Sequence, residues 1–456
     1  MDENRLVVII IDNLRTPVFN ENRKEFKNIY DKILSVNCIE SEVTTSSSET
    51  TSSLQTLATG KPLKDPGPAY FMRKTGRVLN GMSLSDVQRG YNPYIKTFFH
   101  DQPEPSVAIY FPHNQGATYR HLGTFDPRQN IKHLHKIFWR GLNISSSIAV
   151  ERFKLSMDLV NPRFTVIYFP VYDRYAHFLN DSQMCDIYSS QLDKDIGEIC
   201  LAIEKKKQRD NTTICIISDH SSTKTEQAHI DLNNELLIHS EFDKINLLKN
   251  QYPDKVALVY GACKGQLYLE KKSNADFIED NIKRMLEKSY IEHALLKTKE
   301  GVLLFEENSK ALITFKKNRY RLTVDNGRPF NFSKDLLSEL SHDHTFHQGF
   351  EKTCCENQPN AHISAYHLLS HPDSGDLLFI SSLGFDFSGT VNPSQSWLMS
   401  KKYPYNHGTF YKEHTVVPII ISNPNTVNQL PEHMPMQDVR PLFKQINPKK
   451  SPKKSY

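Results

Sequence analysis

The sequence predicts an α/β protein: a mostly parallel central sheet with helices on both faces, carrying a small α+β insertion. Three observations predict it. Apolar runs at residues 6–11, 164–169 and 213–218 are followed by acidic residues, Asp12, Asp173 and Asp219. A long amphipathic stretch separates the second run from the third, the strand–helix–strand order that makes neighbouring strands parallel. From about residue 255 to 333 the texture changes to short alternating runs, which read as a separate, smaller unit.

Each element has a local reason. Residues 6–11 show no polar alternation, as expected of a strand covered on both faces. A carboxylate is costly inside a sheet and well placed at its end, where ligands of open α/β sheets gather. Residues 22–36 read as a helix, followed by a second strand. Residues 44–53 are so rich in Ser and Thr that composition alone makes them a flexible loop. They lead, however, into a short helical run at 54–59 that is stopped by Gly60 and Pro62. Hydroxyl residues suit a helix N-cap, and the N–H groups at a helix start favour anions, so this loop is read as a phosphate holder. Residues 62–135 show few periods; 107–111 is the one strand-like run. Residues 182–207 form a helix with Leu192, Ile196, Cys200 and Ile203 on its apolar stripe, closing on Lys205, Lys206 and Lys207, where cations suit the dipole. The smaller unit reads as strands at 255–260 and 265–269, a helix at 276–289, and runs at 301–305, 311–315 and 319–324. The parent pattern resumes with a helix at 360–369, strands at 376–381 and 416–421, and Tyr405-Asn406-His407-Gly408 between them. The chain thus divides into a first part of the core, 1–254, an insertion, 255–335, a second part of the core, 336–440, and a basic tail, 441–456, expected to be disordered. There is no internal repeat.

The bulk properties narrow the classes. The 456 residues are 38% hydrophobic and 10% aromatic, enough for a sizeable core. A net charge of +4 is small for this length and gives no case for binding a nucleic-acid duplex. No run of 18 apolar residues is present, so no membrane span is expected. Residues 1–5 lack the form of a signal peptide. The seven cysteines are irregularly spaced, with neither a disulfide framework nor a zinc-knuckle pattern. Cys215 reads as a buried small hydrophobe and Cys354-Cys355 as ordinary thiols. A soluble, cytoplasmic protein is expected, with export that needs no cleaved signal left open.

The chemistry lies at the strand ends. Asp173 and His177 have the i,i+4 spacing that puts two side chains on one face of a helical turn. Asp219-His220 follows the third run directly. Taken singly, an Asp at a strand end is more often a helix cap than a ligand. Their joint occurrence at three strand tips is the layout of a metal site. His342, His344 and His347 lack partners of matching spacing and read as a solvated loop. His133 and His135 read as helix-surface residues. Arg15 is near enough to Asp12 in sequence to face a phosphate, with no motif behind it.

The order of these residues resembles the alkaline phosphatase superfamily, and within it the type I phosphodiesterases and nucleotide pyrophosphatases. That branch has a first-strand Asp, a nucleophilic Thr or Ser, D-x-x-x-H, D-H, and a His usually followed by Gly. The matching positions are Asp12, Thr50, Asp173 with His177, Asp219-His220, and His407-Gly408. The family's nucleophile stands ten residues before the Gly of T-x-x-T-G, here Thr56-Leu57-Ala58-Thr59-Gly60, which selects Thr50. The resemblance covers about 1–240 and 340–425, and recurs in His414-Thr-Val-Val-Pro418 and in the strand at 376–381.

The resemblance implies a hydrolase of phosphodiester or pyrophosphate bonds acting on a small phosphorylated substrate such as a nucleotide. It implies two divalent ions, Zn²⁺ first and Mn²⁺ as the alternative, one held by Asp12, Thr50, Asp219 and His220, the other by Asp173, His177 and His407. Thr50 would attack phosphorus and form a covalent phospho-threonine. Three positions depart from the family. Ser53 stands where the pyrophosphatases keep an Asn that holds a phosphate oxygen, and is the substrate-binding candidate. Ser221 replaces the Gly after Asp-His, and Asn13 the Gly often found after the first Asp. The alternatives are a phosphomonoesterase or phospho-head-group transferase of the same fold, or a degenerate member acting as a binding module. No Cys/Ser-x-Pro-x-Arg marks a sulfatase.

Overall fold

Unbroken apolar runs become central strands because both faces of such a strand are dry. In this computed structural model the described residues are 4–45, 48–62, 69–72, 77–80, 95–121, 143–240, 258–260, 263–269, 275–388, 404–423 and 427–448. The main sheet has eight strands: β1 (Arg5–Ile11), β2 (Cys38–Thr44), β3 (Ser106–Ile109), β4 (Tyr119–His121), β5 (Phe164–Phe169), β6 (Thr212–Ser218), β7 (Val416–Ser422) and β8 (His433–Pro435). Their order is β8-β2-β7-β6-β1-β5-β3-β4. All neighbours pair parallel except β7, which runs antiparallel to both β2 and β6.

The register at the centre of this sheet builds the site. Ile11 at the end of β1 pairs with Phe169 on one side and Ser218 on the other. The tips of β1, β5 and β6 are therefore level, and the residues that leave them start from one line. Ile9, Val166 and Ile216 beneath them are fully buried. Truncating such a residue to Ala costs about 2–5 kcal/mol, so the floor of the site is firm.

The helix expected over 182–207 forms as Asp181–Ile187, a π turn at Tyr188–Leu192, and Asp193–Lys205, with Leu192, Ile196, Cys200 and Ile203 all buried. The one expected over 22–36 is broken into a 3₁₀ turn, a single α turn and a π turn. The cysteines are free. The tail expected to be disordered over 441–456 begins instead within a helix, Val439–Ile446, that buries Leu442, Phe443 and Ile446 in the core; its residues beyond 448, His133 and His135 lie outside the described residues.

The second sheet has seven antiparallel strands, in the order Leu258–Tyr260, Lys264–Leu267, Leu377–Ser381, Ile291–Lys297, Val302–Glu306, Ser309–Lys316, Arg319–Asn326. This corrects one reading. The strand near 376–381 does not return to the main sheet; it lies in the middle of the second, and Leu336, Leu340, Ala365 and Leu369 pack onto that same sheet. The second unit therefore draws on chain beyond 335. An apolar run buried on both faces fits the centre of either sheet, so its pattern carries no information on which one it joins.

The histidines of 342–347 also divide. His342 and His347 are exposed as expected, but His344 is buried with its Nε2 3.0 Å from Nε2 of His362.

Candidate active site

Two helices and two loops converge on the level strand tips. Asp12 follows β1 directly. Helix α1 (Thr50–Thr59) opens with Thr50 and closes at Gly60, whose φ of +65° is the left-handed conformation glycine adopts without strain. Helix α2 (Val171–Phe178) follows β5 and carries Asp173 and His177 one turn apart. Asp219 and His220 follow β6. Tyr405–Asn406 pairs with Thr223–Lys224 just beyond His220, which brings in His407.

The seven candidate ligands lie together. Thr50 Oγ1 is 3.0 Å from His220 Nε2 and 3.4 Å from Asp12 Oδ1. His220 Nε2 is 3.6 Å from Asp12 and 3.7 Å from Asp219 Oδ2. On the other side, Asp173 Oδ1 is 3.3 Å from His177 Nε2 and 3.7 Å from His407 Nε2. The rings of His220 and His407 stack at 4.0 Å between the two groups. Asp12, Asp219 and His220 offer ligand atoms within 4.8 Å of one another, and so do Asp173, His220 and His407. Ser53 is buried one turn along α1 from Thr50.

Second contacts fix these groups. His177 Nδ1 lies 2.8 Å from the carbonyl of Tyr405, and His407 Nδ1 lies 2.6 Å from that of Ser48. A carbonyl only accepts, so each Nδ1 carries a proton, which leaves each Nε2, directed at Asp173, to supply its lone pair to a metal. That is the tautomer a metal ligand needs. Asn13 joins the two halves: its N–H donates to Asp219 Oδ1 at 3.1 Å and its side chain to Asp173 Oδ1 at 2.9 Å. Its φ is +54°, so the Gly common in the family and the Asn found here meet the same backbone demand. Tyr168, on β5, donates its hydroxyl to Asp12 Oδ2.

The electrostatics are those of a cation site. Burial, then repulsion from Asp219 and Asp173, pushes the Asp12 carboxyl well above the usual range. Burial also raises Asp219, against the pull of His220. Burial pushes Asp173 up too, but His177 and His407 outweigh it and hold that carboxyl well below the usual range. The His177 imidazole is raised, since Asp173 outweighs its burial, while burial and then His220 drive His407 well below its ordinary value. Among the described residues Asp219 Oδ2 is buried without a hydrogen-bond partner. Three carboxylates, three imidazoles, two of them oriented by a carbonyl at Nδ1, and that buried oxygen fit divalent cations.

Arg15 does not face this cluster. Its guanidinium is buried against the end of α2, donating to the carbonyls of Ala176 and Leu179, pairing with Asp181 at 2.7 Å and stacking 3.5 Å over the Tyr405 ring. Sequence reading also missed Tyr168 and Asn13 as supports. For Asn13 the signal was present, an Asn where a turn demands positive φ; Tyr168 is one polar-tipped residue in an apolar run.

Comparison with known proteins agrees with this architecture. The family model of type I phosphodiesterase / nucleotide pyrophosphatase matches residues 6–408. No curated protein matches the sequence. Among solved structures, murine ectonucleotide pyrophosphatase / phosphodiesterase 5 aligns over 98% of this chain and 96% of its own, at 11% identity and a TM-score of 0.59. An inactive Thr-to-Ala variant of it in complex with AMP aligns over 99% and 96%, at 12% identity and a TM-score of 0.56. Phosphonoacetate hydrolase from Sinorhizobium meliloti, in complex with phosphonoformate, aligns over 97% and 95%, at 12% identity and a TM-score of 0.53. At these identities the likeness speaks to the fold.

Proposed function

Because the chain belongs to the type I phosphodiesterase / nucleotide pyrophosphatase family, we propose that this hydrolase cleaves phosphodiester or pyrophosphate bonds through a covalent phospho-threonine at Thr50. The observation that carries the reading is the position of Thr50: first residue of α1, with its hydroxyl 3.0 Å from His220 and beside Asp12. A helix start directs N–H groups at an anion, so α1 offers both the nucleophile and donors for phosphoryl oxygens. Ser53 is the further side-chain candidate on the same helix.

Asp12, Thr50, Asp219 and His220 would hold one divalent cation, and Asp173, His177 and His407 the other. Bound cations supply Lewis acidity, lowering the pKa of the hydroxyl and neutralising charge on the phosphoryl group. The chain's own part is orientation. Thr50 Oγ1 attacks phosphorus, the Oγ1–P bond forms and the bond to the leaving oxygen breaks. Water then attacks phosphorus and releases Thr50. Asp173 is the more open side of the cluster, with a side chain 25% exposed against 0% for Asp219, so substrate approaches from there. The AMP bound to the murine relative favours a nucleotide substrate. The free thiols favour a reducing, cytoplasmic setting. No helix among the described residues is long and apolar enough to cross a membrane.

The test is the nucleophile. Thr50→Ala is expected to lower turnover on the order of a thousand-fold or more, because the reaction path is lost. Thr50→Ser keeps part of it and accumulates a phosphoenzyme, detectable by mass spectrometry of acid-quenched protein. Normal turnover in Thr50→Ala, with loss in Thr51→Ala or Ser48→Ala instead, would move the nucleophile.

A further inference from the structure

The second sheet reaches the start of α1. Lys264, first residue of the strand Lys264–Leu267, lies with its Nζ 2.9 Å from Glu49 Oε1. Glu49 is the residue immediately before Thr50, in extended conformation at the N-cap of α1, and its side chain makes no capping bond. The two side chains are only 5% and 3% exposed.

A buried ion pair is a poor stabilising device. Desolvation costs several kcal/mol per ion, and an apolar pair of similar volume often does as well or better. The location supplies a better reason. A helix start without a side-chain cap frays easily, yet the first residue of this helix must keep its hydroxyl beside His220. Lys264 is anchored by a strand paired on both sides, to Leu258–Tyr260 and to Leu377–Ser381. A cation fixed there holds Glu49, and Glu49 fixes the first turn of α1. The same cation cancels a carboxylate that would otherwise stand one residue from the nucleophile and oppose the negative charge that builds on the phosphoryl group in the transition state.

We propose that Lys264 is a positioning residue for Thr50, acting through its ion pair with Glu49, so that the second sheet takes part in catalysis from behind the nucleophile. The proposal rests on the reading of Thr50 as the nucleophile. It is tested with Lys264→Met, Lys264→Arg, Glu49→Gln and the double variant Glu49→Gln/Lys264→Met, alongside Thr50→Ala, with metal content measured on each. In Lys264→Met, kcat is expected to fall at least about tenfold with KM changed less than about twofold and the metals retained. Lys264→Arg restores most of the rate, and the double variant is faster than Lys264→Met because the uncompensated carboxylate is gone. A normal kcat in folded, metal-loaded Lys264→Met overturns the proposal, and so does a double variant in which the two single losses multiply. Should Lys264→Met not fold, Glu49→Gln decides: a kcat equal to that of the unaltered enzyme overturns the proposal. Turnover surviving in Thr50→Ala instead overturns the nucleophile reading itself.

Discussion

Arg15→Ala tests whether the D-x-x-x-H helix is held in place by one buried guanidinium. Arg15 is 2% exposed. It donates to the carbonyls of Ala176 and Leu179, the latter at 2.6 Å, at the end of the helix that carries Asp173 and His177. It also lies over the ring of Tyr405, whose own carbonyl accepts from His177. Losing the donor leaves buried carbonyls unsatisfied, at about 1–3 kcal/mol each. Losing the stacked cation costs about 0.5–2 kcal/mol. The Asp181 pair adds little, on the order of 0–1 kcal/mol, because Asp181 is 67% exposed and solvent screens it. Allowing for non-additivity, the loss is about 3–6 kcal/mol, a large share of a typical domain's 5–15. Urea unfolding of metal-free protein measures it, and bound metal is counted on the same preparation. Arg15→Lys, which keeps a charge without the fork, is expected to lose roughly half as much. A stable, fully metal-loaded Arg15→Ala protein would refute the reasoning.

Three further outcomes are expected. Asp219→Ala and His177→Ala should each lower bound metal by elemental analysis as well as the rate, and chelation should abolish activity that Zn²⁺ or Mn²⁺ restores; full activity in metal-free protein contradicts this. Metal binding should release protons. The raised Asp12 and Asp219 carboxyls and the raised His177 imidazole keep protons in the fold that the unfolded chain has already lost. The two carboxyls therefore make the metal-free fold less stable as pH rises from the ordinary carboxylate range, about 4, through their raised values, and bound cations remove that loss. Calorimetry in two buffers of different ionisation enthalpy counts the protons, and a count of zero contradicts the sign. Finally, an aryl or nucleotide diester should turn over faster than its monoester, since a diester has one fewer ionised oxygen to neutralise. A monoester preference of about tenfold in kcat/KM, or roughly 1.4 kcal/mol, would move the assignment to a phosphatase.

What the sequence made legible follows from range. Residues 6–11, 164–169 and 213–218 announce their strands through unbroken apolar runs, and the acidic residue after each marks its tip. Once the strands are parallel neighbours, the register brings Asp12, Asp173 and Asp219 to one line. Thr50 was accessible only through its distance from Gly60, because a Ser/Thr-rich stretch offers several hydroxyls of equal standing. The placement of 377–381 was not legible, since two sheets compete for the same kind of strand. Nor was His344, which lies between helices and is buried against His362 of the helix Ala361–Ser370.

The least legible features share a cause. His177 and His407 owe their tautomers to the carbonyls of Tyr405 and Ser48, and every residue type has a carbonyl, so no side chain there records the role. The ligands must be particular residues, whereas their orientation is supplied by backbone that the strand pairing at Tyr405–Asn406 brings into place. Disturbing that pairing should therefore harm the site more than changing the Tyr405 side chain, apart from the ring's stack on Arg15. Arg15 and Lys264 follow the complementary rule. Their side chains are specific, but their partners lie 161 or more residues away for Arg15 at Ala176 and 215 residues away for Lys264 at Glu49. A charge in an otherwise apolar stretch is the trace that such a role leaves in a sequence, and only the fold says which opposite charge or carbonyl it answers.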